Sequence, residues 1–450
     1  MPTLIDNVSE TVKPRAPTAN WPAPIRDLPP MIVMDGGVNA ISIARSLARL
    51  GVAVHALNEP AALIRYSRCA RWIPFSARGP AAEAWADFLL GPKSEHLRGA
   101  VLIAAGDRGL ELLIAHHRAL AERFQLDEVN LEAQRRMLDK LSTYQTAVAA
   151  GVPTPRFWLA KSADEVDALR GELVFPLLVK PTLSHLFEQR FGVKHVTAES
   201  LDSLHAALRV VGDSEADLML VEKIPGPDDR LCSYYTYLDA EGNPQFNLTK
   251  RVIRRYPIGQ GAACYHVTDH NPEVRELALK LLRHVGLRGL ANVEFKRDDR
   301  DGRLKLIECN ARFTAPNCLI ARSGFDLPRF VYGRIVGLPT EPLSKYRRGL
   351  RLWYPIEDYL AYRELRRRRE MTFRQWLASI AHRQTLPLFQ FRDPLPTLVS
   401  QTRRLKRIVR RAMTKIFYEE TRNPGRREWR SEDNTEPEIH ANAREAEVFK

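Results

Sequence analysis

The hydrophobic pattern begins late in the chain. Residues 1–30 contain KPRAPTANWPAPIRDLPP, which is rich in proline, has no period and reads as a flexible leader. From Met31 the pattern changes. Met31–Met34 is a short apolar run that meets the turn residues Asp35, Gly36 and Gly37. Ile41, Ala44, Leu47 and Ala48 then recur at helical spacing, and GVAVHAL reads as a second strand. Strand, helix and strand in that order form a βαβ unit. GAVLIAAGDRGLELLIAHHRAL repeats the strand–turn–helix half, so 31–125 predicts a small α/β domain on a parallel sheet. The first turn does not carry a dinucleotide fingerprint. G-x-G-x-x-G from Gly36 needs glycine at Val38 and Ile41, and from Gly37 it needs glycine at Asn39 and Ser42.

A different alternation runs over 131–339. Leu141, Ala147 and Val148 mark one helix face, Gly151 ends that helix, and Pro153 and Pro155 bar its continuation. LVFPLLVKP is an apolar strand carrying Lys180, followed by a long polar loop and a second strand. LMLVEKIPGPDDRL is a strand running into a turn. SYYTYLDAEGNPQFNLTKRVIRRYP reads as a hairpin turning at EGNP, PEVRELALKLLRHVGLRG as a helix, and LANVEFKRDDRDGRLKLIECNARF as a hairpin turning at DRDG. These elements predict a mixed α+β domain. Beyond it, 340–420 is basic and helical in period, and 421–450 is a polar tail of mixed charge that reads as disordered.

The last hairpin carries the candidate chemistry. As an unbroken period-two strand, RLKLIECNAR places Leu304 and Leu306 on one face with Glu308, Asn310 and Arg312. Glu294 lies on the paired strand. Two carboxylates repel each other in a low-dielectric site unless a cation joins them, and carboxylate and amide oxygens suit Mg²⁺. Lys180 ends a buried strand, where an ammonium is costly unless an anion meets it; phosphate suits such a point charge. Lys140, at a helix start, is a second candidate.

Composition narrows the picture a little. Hydrophobic residues at 44% and charged residues at 27% of 450 fit a soluble globular protein of two or three domains. The net charge of +14 points to acidic partners, whether nucleotide phosphates, nucleic acid or an anionic membrane. No RNA-binding signature or zinc finger accompanies it, so nucleic acid is not expected. The five cysteines contain no CxxC pair and fit a reducing cytosol, and no apolar run is long enough to span a bilayer.

The order LDKL…GVPTP, FPLLVKP, LMLVEKIPG, GLANVEF and LIECNARF resembles the ATP-grasp superfamily of carboxylate–amine ligases. The likeness covers about Met31 to Pro339 and implies an N-terminal Rossmann-like domain before the nucleotide-binding fold. It implies that Lys140 and Lys180 hold the ATP phosphates and that Glu222 meets the adenine amino group. The backbone of Lys223 and Ile224 would pair with the adenine edge, and Asp228 or, preferably, Asp229 would take the ribose. It further implies that Glu294, Glu308 and Asn310 bind Mg²⁺ or Mn²⁺, with Glu308 bridging, and that Arg312 steadies the transferred phosphoryl group. The loop TLSHLFEQRFGVKH departs from the family's glycine-rich phosphate loop, holding only Gly192; His185, Gln189, Arg190 or Lys194 are its candidate substitutes. The expected activity is ATP-dependent joining of a small carboxylate to an amine. The alternatives are a nucleotide-binding regulator without catalysis, or a protein attached to a membrane surface by its basic helices. Within these, Leu405, Ile408, Val409, Ala412, Met413, Ile416 and Phe417 form one apolar stripe.

Overall fold

The computed structural model describes residues 27–74, 81–160, 162–181, 195–211 and 218–406. Its strands fall into three sheets, consecutive along the chain. The first contains β1 (Met31–Met34), β2 (Val54–Leu57), β3 (Arg71–Trp72) and β4 (Val101–Ala104), all parallel, in the order β3-β2-β1-β4. Every residue of β1 is buried: Met31 and Val33 pack toward the helix Val38–Ala48, and Ile32 and Met34 toward the helix Ala81–Leu90. A parallel strand covered on both faces has to be apolar throughout, which is why MIVM lacks alternation. Its exit turn holds Asp35 at φ 62° and Gly36 at φ 84°. A Cβ at Gly36 would sit 2.7 Å from that of Ala105, so the end of β4 admits only glycine there.

The second sheet is antiparallel, in the order β5-β8-β6-β7, from β5 (Phe157–Leu159), β6 (Leu177–Pro181), β7 (Val196–Ala198) and β8 (Leu218–Glu222). One face, with Leu177, Val179 and Leu220, packs against Val166 and Leu204 of two covering helices. The other places Met219 and Val221 against Tyr144 of the helix Lys140–Ala149. Lys180 pairs with Met219 and belongs to this second face.

The third sheet has seven strands: β9 (Leu231–Leu238), β10 (Leu248–Tyr256), β11 (Ala262–Asp269), β12 (Gly289–Arg297), β13 (Leu304–Asn310), β14 (Arg351–Trp353) and β15 (Gln384–Thr385). Their order is β13-β12-β9-β10-β11-β14-β15, antiparallel except for β14 with β15. The segment after Pro339, read as a basic helical extension, therefore adds two strands to this sheet. They have three and two residues, too few to show a period in the sequence.

The pairing of β12 with β13 corrects the reading of the last strand. Glu294 is opposite Glu308, but the next residue of β12, Phe295, is opposite Leu306. The extra residue, Ile307, is a β-bulge, and it turns the rest of the strand over. Leu304, Leu306, Cys309 and Ala311 share one buried cluster, so Glu308, Asn310 and Arg312 lie on the opposite face from Leu304 and Leu306.

Candidate active site

The bulge creates the polar row. Residues opposite one another on antiparallel strands share a face. One row therefore runs Glu308, Glu294, Ser233 and Lys250 across β13, β12, β9 and β10, and the next holds Asn310, Asn292 and Tyr235. Asn292 Nδ2 donates to Glu294 Oε1 at 2.9 Å, and Asn310 Nδ2 donates to Glu308 Oε1 at 3.0 Å. Each carboxylate is oriented by the amide two residues along its own strand. Asn292 is 1% exposed, and its Oδ1 accepts no hydrogen bond among the described residues. A buried carbonyl oxygen left open beside two aligned carboxylates is a donor set for a hard cation. Among the described residues no group of three or more His, Cys, Asp and Glu side chains converges. Two carboxylates with amide oxygens suit Mg²⁺, which keeps positions for water and phosphate.

The second sheet brings a cation within electrostatic reach of this row. Lys180, at the end of β6, is 9% exposed and pairs with no carboxylate among the described residues. Burial is the main cause pulling its pKa down to about 8; the charges of Lys140 and Arg255 lower it further, and Glu308 opposes them. The fold thus brings Lys140, Lys180 and Glu308 within electrostatic reach, although 168 positions separate the first from the last (308 − 140). Lys140 is the first residue of its helix, whose cap is Asp139 accepting from Ser142 N at 2.7 Å.

β8 runs out into Lys223 and Ile224. The Lys223 N–H donates to Pro176 O at 3.0 Å, and Ile224 O accepts from Lys296 Nζ at 2.9 Å. The Ile224 N–H donates to nothing among the described residues, and Pro225 has none. The buried Glu222 carboxylate accepts from Arg156 N at 3.2 Å and is ion-paired with Arg300. Both of its oxygens are taken by these partners. Asp228 is also engaged, by Arg255 Nε at 2.7 Å and Gly259 N at 3.0 Å, whereas Asp229 is exposed. His185, Gln189, Arg190 and Lys194, the loop candidates, lie outside the described residues.

Arg312 leaves β13 toward the first sheet. Its Nε and Nη2 both donate to Asp107, the latter at 2.8 Å, and Nη1 donates to Phe313 O at 3.2 Å. Asp107 opens the helix Asp107–Ala115 that follows β4, so an element next to the first sheet supplies the arginine's fork partner.

Three polar groups at this site escaped the sequence reading. Asn292 was visible in principle, two positions before Glu294 and so on the same face. Lys250 is 3% exposed and 5.6 Å from the Tyr235 ring; burial lowers its pKa, and Glu294 is the leading opposing charge. Finding it required the β9–β10 register. Asp107 had no local signal.

No protein-family model matches the chain. Among curated proteins, it is similar to a D-aspartate ligase of Enterococcus faecium, with 26% identity over 249 residues, covering 53% of this chain and 59% of that one. A D-alanine–D-alanine ligase of Xylella fastidiosa is 30% identical over 196 residues, covering 40% of this chain and 58% of that one. The chain thus matches less than two thirds of the length of these relatives. Among solved structures, an L-amino acid ligase from Bacillus licheniformis superposes with a TM-score of 0.54 at 16% identity, covering 70% of this chain and 76% of that one. A biotin carboxylase from Campylobacter jejuni gives 0.55 at 15% identity, covering 71% and 74%. The chain therefore carries the ATP-grasp fold and is a sequence relative of the D-aspartate and D-alanine–D-alanine ligases.

Proposed function

We propose that the protein is an ATP- and Mg²⁺-dependent ligase that joins a carboxylate to an amine through an acyl phosphate. The observation that carries this reading is the buried Lys180, without an anionic partner among the described residues and beside Lys140, opposite the Glu294–Glu308 row. A buried ammonium beside a second one calls for an anion with several charges, and a triphosphate supplies it.

In this reading Lys140 and Lys180 hold the phosphates. The Ile224 N–H and the Lys223 carbonyl meet the purine edge; Glu222 shapes that edge through Arg300 instead of touching the base. Asp229 takes the ribose. Glu294, Glu308 and Asn310, with Asn292 behind them, would hold the cation, which supplies charge neutralisation at the phosphate oxygens. A carboxylate oxygen attacks the γ-phosphorus and ADP leaves. The amine nitrogen then attacks the acyl carbon, phosphate leaves and the nitrogen loses a proton. Lys180 and Arg312 offset the negative charge that develops on the phosphoryl oxygens, with Asp107 fixing the guanidinium plane. The named relatives support an amino acid as the carboxylate donor. The five free cysteines suit a reducing cytosol as the place of action.

The test is ADP and phosphate release against a panel of D- and L-amino acids paired with amine acceptors. Release that requires both a carboxylate and an amine, with an amide product by mass, is the expected result. ATP binding with no release across the panel would favour a nucleotide-binding regulator.

A further inference from the structure

Exposed apolar side chains are concentrated in one part of the molecule. Of the ten large hydrophobic residues exposed among the described residues, eight lie between Tyr359 and Leu405. They include Phe373 at 52%, Leu377 at 49%, Phe391 at 87% and Leu398 at 57%. The helix Phe373–Ile380 has a complete capping box at Thr372 and Gln375 but buries none of its residues. Phe373 and Leu377 lie four apart, on one face. The helix over 395–406 repeats this arrangement: Leu395, Leu398 and Leu405 form one stripe turned to solvent. Leu405 is also the first member of the longer sequence stripe; its other members lie outside the described residues. Because Leu405 is 62% exposed, the stripe does not begin as packing against the sheets.

The charge around these side chains is one-sided. Residues 359–406 contain eleven arginines and lysines and three acids. Asp393 is buried against Arg45, and Glu364 pairs with Arg368, which leaves Glu370 as the remaining acid. Arg366, Arg367, Arg374, Arg383 and Arg392 are exposed. No helix among the described residues is long and apolar enough to cross a membrane.

We infer that the 359–406 surface docks on an anionic lipid surface, with Phe373, Leu377, Phe389 and Phe391 entering the interface and the arginines meeting the headgroups. Short amphipathic helices with aromatic and leucine faces and basic flanks match that environment. Nucleic acid would account for the arginines but not for four exposed leucines, which gain nothing from a phosphate backbone. A second copy of the chain would bring eleven basic residues against eleven.

The experiment uses the full-length protein and vesicles of phosphatidylcholine, with and without phosphatidylglycerol. Co-sedimentation is expected only with the anionic vesicles, and high salt should reverse it. Replacing Phe373, Leu377, Phe389 and Phe391 with serine should weaken binding at least about tenfold, the weight of one lost apolar side chain. These residues are exposed, so circular dichroism should be unchanged. As an independent arm, Arg366→Gln, Arg367→Gln, Arg374→Gln and Arg383→Gln together should remove the preference for anionic vesicles. Equal binding to both vesicle types, or undiminished binding by the serine variant, would overturn the proposal. So would a dimer that the serine variant dissolves, or RNA bound in place of lipid.

Discussion

Glu308 has two functions on one backbone position: it closes the bulge and aligns with Glu294 across the strand pair. Glu308→Gln keeps the shape and removes one charge. Turnover is expected to fall by a hundredfold or more, about the cost of losing a transition-state charge contact. ATP should still bind, weakly; full activity in this variant would disprove the cation site. Lys180→Ala should weaken ATP binding, measured by calorimetry, while leaving adenosine binding unchanged. Equal losses would make the lysine structural. Lys180 also sets a pH signature. Its pKa falls from 10.5 to about 8 on folding, so between these values the unfolded chain holds more protons than the folded one. Stability without ATP should therefore rise with pH across that window, the cost of the buried charge being full below pH 8. Lys180→Met should flatten this rise and raise stability at neutral pH. Urea unfolding at pH 7 and pH 10 reads both effects.

At the scale of the element, the helix Pro355–Arg367 is fixed to the third sheet by one buried carboxylate. Asp358 accepts from Arg254 Nε at 2.6 Å and Nη2 at 3.1 Å, from Trp353 Nε1 at 3.0 Å and from Trp376 Nε1 at 2.9 Å. Both members of the ion pair are buried. Asp358→Ala strands the Arg254 charge and should cost about 3–5 kcal/mol in chemical denaturation. Adding Arg254→Met should recover much of that loss, because the stranded charge rather than the missing bond is the larger penalty. A double variant no better than the single one would show that the tryptophan contacts dominate. The same carboxylate holds Trp376, and through it the exposed helix Phe373–Ile380, so this pair also orients the surface assigned to lipid.

Across the whole molecule, the late segment returns to the elements around the first sheet. Asp393, 1% exposed, accepts from Arg45 Nε at 2.8 Å, Ser67 Oγ at 2.7 Å and Arg68 N at 2.9 Å, while its own carbonyl accepts from Arg45 Nη2 at 2.8 Å. A chain that runs from the third sheet to the first and is fastened there acts as a strap between them. Asp393→Ala should free it. Hydrogen exchange is expected to speed up in 386–406 and around 63–68, with the amides of β12 and β13 unchanged. Exchange that rises uniformly over the protein would mean that Asp393 supports global stability rather than the strap.

Local periods carried much of the sequence reading. MIVM read as a short apolar strand opening a βαβ unit, Gly151 with Pro153 had to end a helix, and a lysine closing VFPLLV needed an anion. Glu294, Glu308 and Asn310 were singled out as candidates because their chemistry is explicit in the residue types. The side of the strand on which Glu308 lies was not legible, because alternation counts residues and a bulge adds one without marking it. The link from Arg312 to Asp107, the place of Lys250 in the polar row and the commitment of Glu222 to Arg300 were equally hidden. Each joins residues on separate elements, and their meeting depends on sheet register and packing rather than on spacing along the chain. Burial then completed what the sequence had begun: it turned Lys180 from a residue type into a buried cation without an anion among the described residues, and only the tertiary structure could remove its water.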